Sequence, residues 1–319
     1  PDHCTRYFLS EFTRNMQAIK KVAVIGAGTM GAGIASHVTN AGYPVVLLDV
    51  VPYGASERNC VADNAIERLT KSAPPAFMDK RNTDLVTTGN IEDDMDLLAD
   101  ADWIAEAVVE RLDVKQTLYE KIGMVRKPGA TVSSNTSTIP LARLTERMSK
   151  GMKRDFCITH FFNPVRYMRL LEIVSGPDTR SGLIDRLSHF CDVELGKGVV
   201  HCNDTPGFLG NRVGVYALQV GIVAAAELGL MIEEADALMG RPMGIPKTGV
   251  FGLYDLIGLD LMLDVASSLA GELPEDDPFH KVASGIPLTG ELVEKGYSGN
   301  KGLGGFFRTV SGDGASSRE

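Results

Sequence analysis

From Lys21 to Cys202 the apolar positions fall into short runs separated by longer stretches with a helical period. Lys21 to Ile25 reads as a buried strand, Thr29 to Ala41 as a helix stopped by Gly42, and Val45 to Leu48 as a second strand. Strand, glycine turn, helix and strand make a βαβ crossover, which predicts a mostly parallel sheet covered by helices. Further strands are predicted at Val86 to Thr88, Trp103 to Val108, Thr131 to Ser134, Phe156 to Phe162, Leu170 to Val174 and Val199 to Cys202. The segment Pro52 to Leu85 is longer than one crossover helix requires and is read as a helical insertion, with a helix over Ala55 to Lys71 and a break at Pro74-Pro75. After Cys202 the period changes. Asp204 to Gly207 reads as a turn, the pattern is helical from Leu209 to about Leu292, and a glycine-rich loop covers Gly296 to Gly305. The predicted division is an N-terminal extension at 1–20, an α/β domain at 21–205, an all-α domain at 206–310 and a mobile tail at 311–319.

Composition narrows the classes open to such a chain. With 319 residues, 44% hydrophobic and 23% charged, it has the material for two packed cores and no bias toward disorder. A net charge of −9 without a Lys/Arg-rich run argues against nucleic acid, because neutralising phosphates needs a cationic surface. The five cysteines are scattered and never spaced as CxxC, so neither a disulfide framework nor a metal site is expected, and a reducing compartment follows. That reading favours the cytoplasm and is also compatible with a mitochondrial matrix. The longest uncharged apolar stretch, Val213 to Ala226, is shorter than the roughly 20 residues a membrane span needs. Arg6, Glu11, Arg14 and Lys20 interrupt any signal-peptide core, and Met16 is the expected natural start.

Gly26, Gly28 and Gly31 form GxGxxG directly after the first strand, and Asp49 ends the next. A glycine permits each step of that turn: the tight bend at Gly26, close approach of a pyrophosphate at Gly28, and helix-strand packing at Gly31. The helix N-terminus offers amides and partial positive charge, and Asp49 is placed to accept from the adenosine ribose diol. Val50, Val51 and Pro52 supply no cation for a 2′-phosphate, so NAD is expected rather than NADP.

The runs Phe156 to Phe162 and Leu170 to Val174 flank a loop opening with Asn163-Pro164, as an antiparallel hairpin centred near Arg166 would. His160 and Glu172 are each six residues from that centre and would face one another. A carboxylate on one imidazole nitrogen fixes the tautomer and leaves the other to take a proton. The alternative is a core histidine beside a sheet-edge carboxylate. Upstream, Ser133 to Thr138 is a polar run at the end of a strand, where ligands bind in such sheets, although Thr138 would also serve as a helix cap. Asn211 and Arg212 open the first long helix of the second domain.

Taken together, Asn135-Thr136-Ser137, HFFNP at His160 to Pro164, Glu172, DTPGF at Asp204 to Phe208, Asn211-Arg212 and DLIGLD at Asp255 to Asp260 resemble the L-3-hydroxyacyl-CoA dehydrogenases of fatty-acid β-oxidation, over about Lys21 to Phe307. The resemblance implies a Rossmann-type domain with a helical insertion, followed by a helical domain that commonly dimerises. It implies oxidation of (S)-3-hydroxyacyl-CoA to 3-ketoacyl-CoA with NAD, His160 as base, Glu172 as its partner, and Ser137 and Asn211 as donors to the substrate oxygen. It further places Glu110, Lys115 and Asn163 on the nicotinamide side and Lys301 near the cofactor. Arg58, Arg68 and Lys71, read on the inserted helix, are candidates for CoA phosphates, with a solvated charged face as the alternative. Because Gly240 to Gly252 is longer than the matching turn of stand-alone enzymes, the chain also resembles forms fused to an enoyl-CoA hydratase. Two other functions fit the same residues: a dehydrogenase of a free 3-hydroxy acid, and a non-catalytic NAD-binding protein of this fold.

Overall fold

The structure, a computed structural model, describes residues 18–244, 247–312 and 315–318, so most of the expected N-terminal extension lies outside the described residues. The chain divides into two compact units between Thr205 and Pro206.

The first unit is built on an eight-stranded sheet in the order β3-β2-β1-β4-β5-β6-β7-β8. Its strands are β1 (Val22–Ile25), β2 (Val45–Asp49), β3 (Val86–Asn90), β4 (Trp103–Glu106), β5 (Thr131–Ser134), β6 (Phe156–Phe161), β7 (Leu170–Ser175) and β8 (Gly198–Cys202). The first six run parallel, and β7 and β8 run the other way. Strands β1, β4, β5 and β6 are buried along their whole length, which explains why β1, β4 and β6 appear in the sequence as mostly apolar runs without alternation, whereas the buried β5 is polar at Thr131, Ser133 and Ser134. Helix α1 (Thr29–Asn40) packs Ile34, Ala35 and Val38 into the core with Val22, Val24, Leu47 and Trp103, and Gly42 beyond its end takes a positive φ of 86°.

Two boundaries differ from the expected ones for local reasons. Strand β4 stops at Glu106 rather than Val108, because the Glu106 carboxylate accepts from the Val108 amide and turns the chain out of the sheet. The inserted helix α2 (Cys60–Thr70) starts five residues late. Arg58 therefore lies in the turn before the helix, held there by Glu92 and Asp93. Helices α3 (Leu112–Val125), α4 (Leu141–Leu144), α5 (Lys150–Arg154) and α6 (Ser181–His189) complete the unit's α-helices among the described residues.

The second unit contains α7 (Gly210–Glu227), α8 (Ile232–Leu238), α9 (Phe251–Ile257), α10 (Leu259–Glu272) and α11 (Pro287–Glu294). Val215, Ile222, Phe251, Tyr254, Leu259, Met262 and Phe279 form its core. Helix α7 buries Val215, Ile222 and Ala225 there, while Val213 and Val220 stay exposed. No helix among the described residues is long and apolar enough to cross a membrane. Backbone pairing between Thr309–Gly312 and Ala315–Arg318 forms a two-stranded ribbon in the stretch read from the sequence as a mobile tail.

His37 on α1 is buried and contacts the Leu195 carbonyl through Nε2 at 2.9 Å. Burial, reinforced by the charge of Lys197, lowers its pKa from 6.5 to about 4. The unfolded chain therefore binds the extra proton first, and stability should fall as the pH drops from 6.5 to 4, by about 3 kcal/mol from this group. Urea unfolding across that window should show a shallower loss for His37→Gln than for the parent chain; equal slopes would refute the assignment.

Candidate active site

The turn between β1 and α1 uses its three glycines for different reasons. At Gly26, φ is 103° and an added Cβ would lie 2.5 Å from the Ala107 carbonyl oxygen. At Gly31 an added Cβ would lie 1.7 Å from the Gly26 carbonyl oxygen, so helix and turn meet with no room for a side chain. Gly28 has an ordinary φ of −65°, and an added Cβ would meet nothing within 4 Å. The protein's own packing therefore does not require glycine there, and the bare backbone is open to the approach of a ligand. Gly28 also caps α1 without a side-chain hydrogen bond, which leaves the first-turn amides to an anion.

Asp49, at the end of β2, accepts from the Ala27 amide with one oxygen and from the Val50 amide at 2.6 Å with the other. The acid thus braces the turn as well as facing the ligand side, a role that spacing alone does not disclose. Gly26, Gly28, Asp49, Val50, Ile91 and Val108 help line a cleft of about 500 Å³. Open backbone at a helix N-terminus, an acid at the next strand end and a partly apolar cleft fit the phosphates, ribose and base of a dinucleotide.

Further along the strand order, the antiparallel register of β6 and β7 pairs His160 with Glu172. Nδ1 of the histidine lies 2.6 Å from Oε2 of the glutamate. Exposure is 5% for His160 and zero for Glu172, so the carboxylate is withdrawn from water and held by protein groups. Cys202 on β8 donates its thiol to Oε1 of Glu172 at 3.5 Å, a contact the sequence does not signal. The ring of Phe162 lies 4.5 Å from that of His160, centroid to centroid.

The polar run after β5 is tied to this pair and to a second carboxylate group. Asn135 accepts the Phe161 amide with its side-chain oxygen at 2.9 Å, linking the run to the strand that carries His160. Glu110 gathers the next three residues. One of its oxygens accepts from the Thr136 hydroxyl, the Ser137 amide at 3.0 Å, and the Thr138 amide and hydroxyl at 3.2 and 3.1 Å. Thr138 therefore serves Glu110 and caps no helix; the N-cap of α4 is Pro140. Burial alone would raise the Glu110 pKa, but the charge of Lys115 and these donors outweigh it and hold the carboxyl below its usual range. The other oxygen lies 3.2 Å from Lys115, whose ammonium also reaches Glu106 at 2.7 Å. Glu106 is fully buried and was not singled out from the sequence.

The remaining expected site residues each have a local setting of their own. Asn163 is exposed at the start of the β6–β7 loop, before a cis bond to Pro164. Arg58 is engaged by Glu92 and Asp93 and is not on the inserted helix, which corrects the expectation for it. Lys71 lies just past the end of α2 and pairs with Glu67 on that helix, whereas Arg68 is exposed on the helix itself. Asn211, in the first turn of α7, and Lys301, paired with Asp260 at 2.7 Å, belong to the second unit.

Comparison with known proteins identifies the family. A family model for the 3-hydroxyacyl-CoA dehydrogenase NAD-binding domain matches residues 21–205, and one for the C-terminal domain of that family matches residues 207–309. A putative fatty acid oxidation complex trifunctional enzyme of Rickettsia felis is 43% identical over 303 residues, covering 94% of this chain and 42% of that protein. A second such enzyme, from Rickettsia prowazekii, is also spanned over only 42% of its length. A probable 3-hydroxyacyl-CoA dehydrogenase of Deinococcus radiodurans is 41% identical over 300 residues, covering 94% of this chain and 86% of that one. Among solved structures, FadB2 of M. tuberculosis superposes with a TM-score of 0.77 at 30% identity, covering 92% of this chain and all of that one.

The glycine geometry separates packing from ligand binding. Gly28→Ala should fold with a melting temperature within about 2 °C of the parent, since its Cβ enters open space, yet bind dinucleotide at least about tenfold more weakly. Gly31→Ala should instead lose about 3 kcal/mol or more of stability through the clash with Gly26. Thermal melts with and without dinucleotide distinguish the two, and a stable Gly28→Ala chain of unchanged affinity would remove the dinucleotide from this turn.

Proposed function

The chain belongs to the 3-hydroxyacyl-CoA dehydrogenase family, and from that premise we propose that it oxidises (S)-3-hydroxyacyl-CoA to 3-ketoacyl-CoA in fatty-acid β-oxidation, with His160 as general base. The observation that carries the reading is the bond of 2.6 Å between His160 Nδ1 and a fully buried Glu172. Because Glu172 holds a proton on Nδ1, Nε2 is the atom that receives the proton of the C3 hydroxyl. The imidazolium so formed is stabilised by the same carboxylate, which has no solvent to weaken the attraction. NAD, when bound, accepts the C3 hydrogen with its electron pair as hydride.

Ser137, and Asn211 from the second unit, are proposed as donors to the substrate oxygen. Glu110 positions Ser137 through its backbone amide. Glu110, Lys115, Asn163 and Lys301 are proposed on the nicotinamide side of the cofactor, and Gly26, Gly28, Gly31 and Asp49 on its phosphate and adenosine side. Arg68 remains a candidate for a CoA phosphate, whereas the partners of Arg58 and Lys71 argue for a solvated charged face. We further propose that the chain is the dehydrogenase part of a longer polypeptide. The fraction of the Rickettsia trifunctional enzymes it spans supports a longer polypeptide, with an enoyl-CoA hydratase as the proposed fused part and a homodimer through the helical unit as the alternative.

His160→Gln should lower the rate of acetoacetyl-CoA reduction by about a hundred- to ten-thousandfold while NADH affinity stays within about twofold, measured by NADH absorbance and fluorescence. An unchanged rate would end the base assignment. Equal turnover of acetoacetyl-CoA and acetoacetate by the parent enzyme would instead favour a free 3-hydroxy acid as substrate. The intact mass of the native polypeptide is expected well above the 34.3 kDa of this chain, and a mass matching this chain plus a methionine would remove the fusion.

A further inference from the structure

Beneath the polar run lies a group of charges that the proposed proton transfer does not use. Glu106, the last residue of β4, has zero exposure, and Lys115 on α3 has 1%. Four donors converge on Glu106. The Val108 amide at 2.8 Å and the Lys115 ammonium at 2.7 Å reach one oxygen; the Tyr119 and Ser134 hydroxyls, at 2.5 and 2.7 Å, reach the other. The Ser134 oxygen also accepts the Thr136 amide, which commits its hydrogen to Glu106. Burial, followed by the negative charge of Glu106, raises the Tyr119 pKa well above its usual value, so the phenol keeps its proton and donates. With four donors on its two oxygens, the Glu106 carboxyl acts as an acceptor only, as a carboxylate does. Glu110 is ionised as well, held so by Lys115 and the donors of Thr136 to Thr138. Two carboxylates thus share one ammonium, leaving one net negative charge. The neighbouring Arg111 and Asp113 pair with each other and change nothing in that balance.

The position of this charge follows from the sheet. Strand order reverses between β1 and β4, and in such sheets a dinucleotide lies across the carboxyl ends at that reversal. With its adenosine end toward Asp49 on β2, its other half extends over the ends of β4 and β5, where Glu106, Glu110 and Ser137 are found. Oxidised nicotinamide is a cation, and reduced nicotinamide is neutral.

We infer that the Glu106–Lys115–Glu110 chain holds a net negative charge under the nicotinamide half of the cofactor and so sets the ratio of NAD+ to NADH affinity, with Glu106 as a positioning residue that fixes Lys115 and, through it, Glu110. The inference rests on the NAD-linked reading given above. Neutralising either carboxylate weakens binding of the cation and leaves the neutral form nearly unaffected.

The test is to titrate the purified chain separately with NAD+, by calorimetry, and with NADH, by fluorescence. Glu106→Gln should raise the Kd for NAD+ by about three- to tenfold and change that for NADH by less than about twofold, the size expected for one unit charge at partly screened range. Glu110→Gln should shift the ratio in the same direction. Tyr119→Phe removes a donor but no charge and should leave the ratio where it was. If Glu106→Gln lacks the parent circular dichroism spectrum, Glu110→Gln decides. Equal changes in both affinities, or an unmoved ratio, overturn the inference. A parent chain that binds neither dinucleotide would sink the NAD-linked reading itself.

Discussion

A carboxylate with no exposed surface must be satisfied by the protein, and in this chain that requirement organises the region around His160. Taking an ionised carboxyl out of water costs several kcal/mol unless it finds donors, and His160 and Cys202 are among the groups that satisfy Glu172. The dependence is mutual. The imidazole is fixed in one tautomer and one orientation by an acid that has little freedom to turn elsewhere.

That pairing exists because the sheet reverses direction after β6. Were β7 to continue the parallel order, a crossover helix would separate the two residues and no short loop would join them. The antiparallel turn sets His160 opposite Glu172, and a one-residue slip in register would send one side chain to the other face. Lys197 stiffens the turn from below. Its ammonium, 1% exposed, donates to the carbonyls of Val165 and Met168, satisfying loop oxygens that the ladder does not reach. Registration of the acid-base pair and satisfaction of the loop backbone are thus one problem with one solution.

Features written in short-range spacing were legible before the fold was known. GxGxxG with an acid at the next strand end, the symmetry of His160 and Glu172 about Arg166, and the change of period after Cys202 each depend on a few neighbouring residues. Less legible were features that depend on which strands and helices become neighbours. Glu106 looks like any acid in an apolar run, and only the contact of β4 with β5 and α3 brings Ser134, Lys115 and Tyr119 to it. The same limit explains Arg58. An apolar and charged alternation over Ala55 to Lys71 suits a helix, but pairing with Glu92 and Asp93, more than thirty residues away, keeps the first part of that stretch in a turn. Thr138 was ambiguous between cap and ligand loop because both use a hydroxyl; its contact with Glu110, with Pro140 as the helix cap, removes the capping role.

The two ends of the sheet put charge to opposite uses. At the amino ends, Asp102 accepts from the Lys20 and Lys21 amides and the Lys127 ammonium, while Asp155 is held by Arg126 and Arg180. Arg186 closes the same side on Thr131 and the carbonyls of Asp102 and Gly129. These contacts are with backbone, with an opposite charge or, at Thr131, with a buried hydroxyl, and they spend the local polarity within the fold. At the carboxyl ends of the parallel strands, Asp49, Glu106 and Glu110 hold nearby amides and hydroxyls of turns, loops and strand ends, and Glu172 holds the imidazole of His160 on β6. Acids that order loops leave those loops with defined polar groups to present to a ligand, which is why chemistry belongs at that end of an open α/β sheet. Exchanging one ion pair for another at the amino end leaves the polar groups there paired; removing an acid at the carboxyl end releases the amides and hydroxyls it holds.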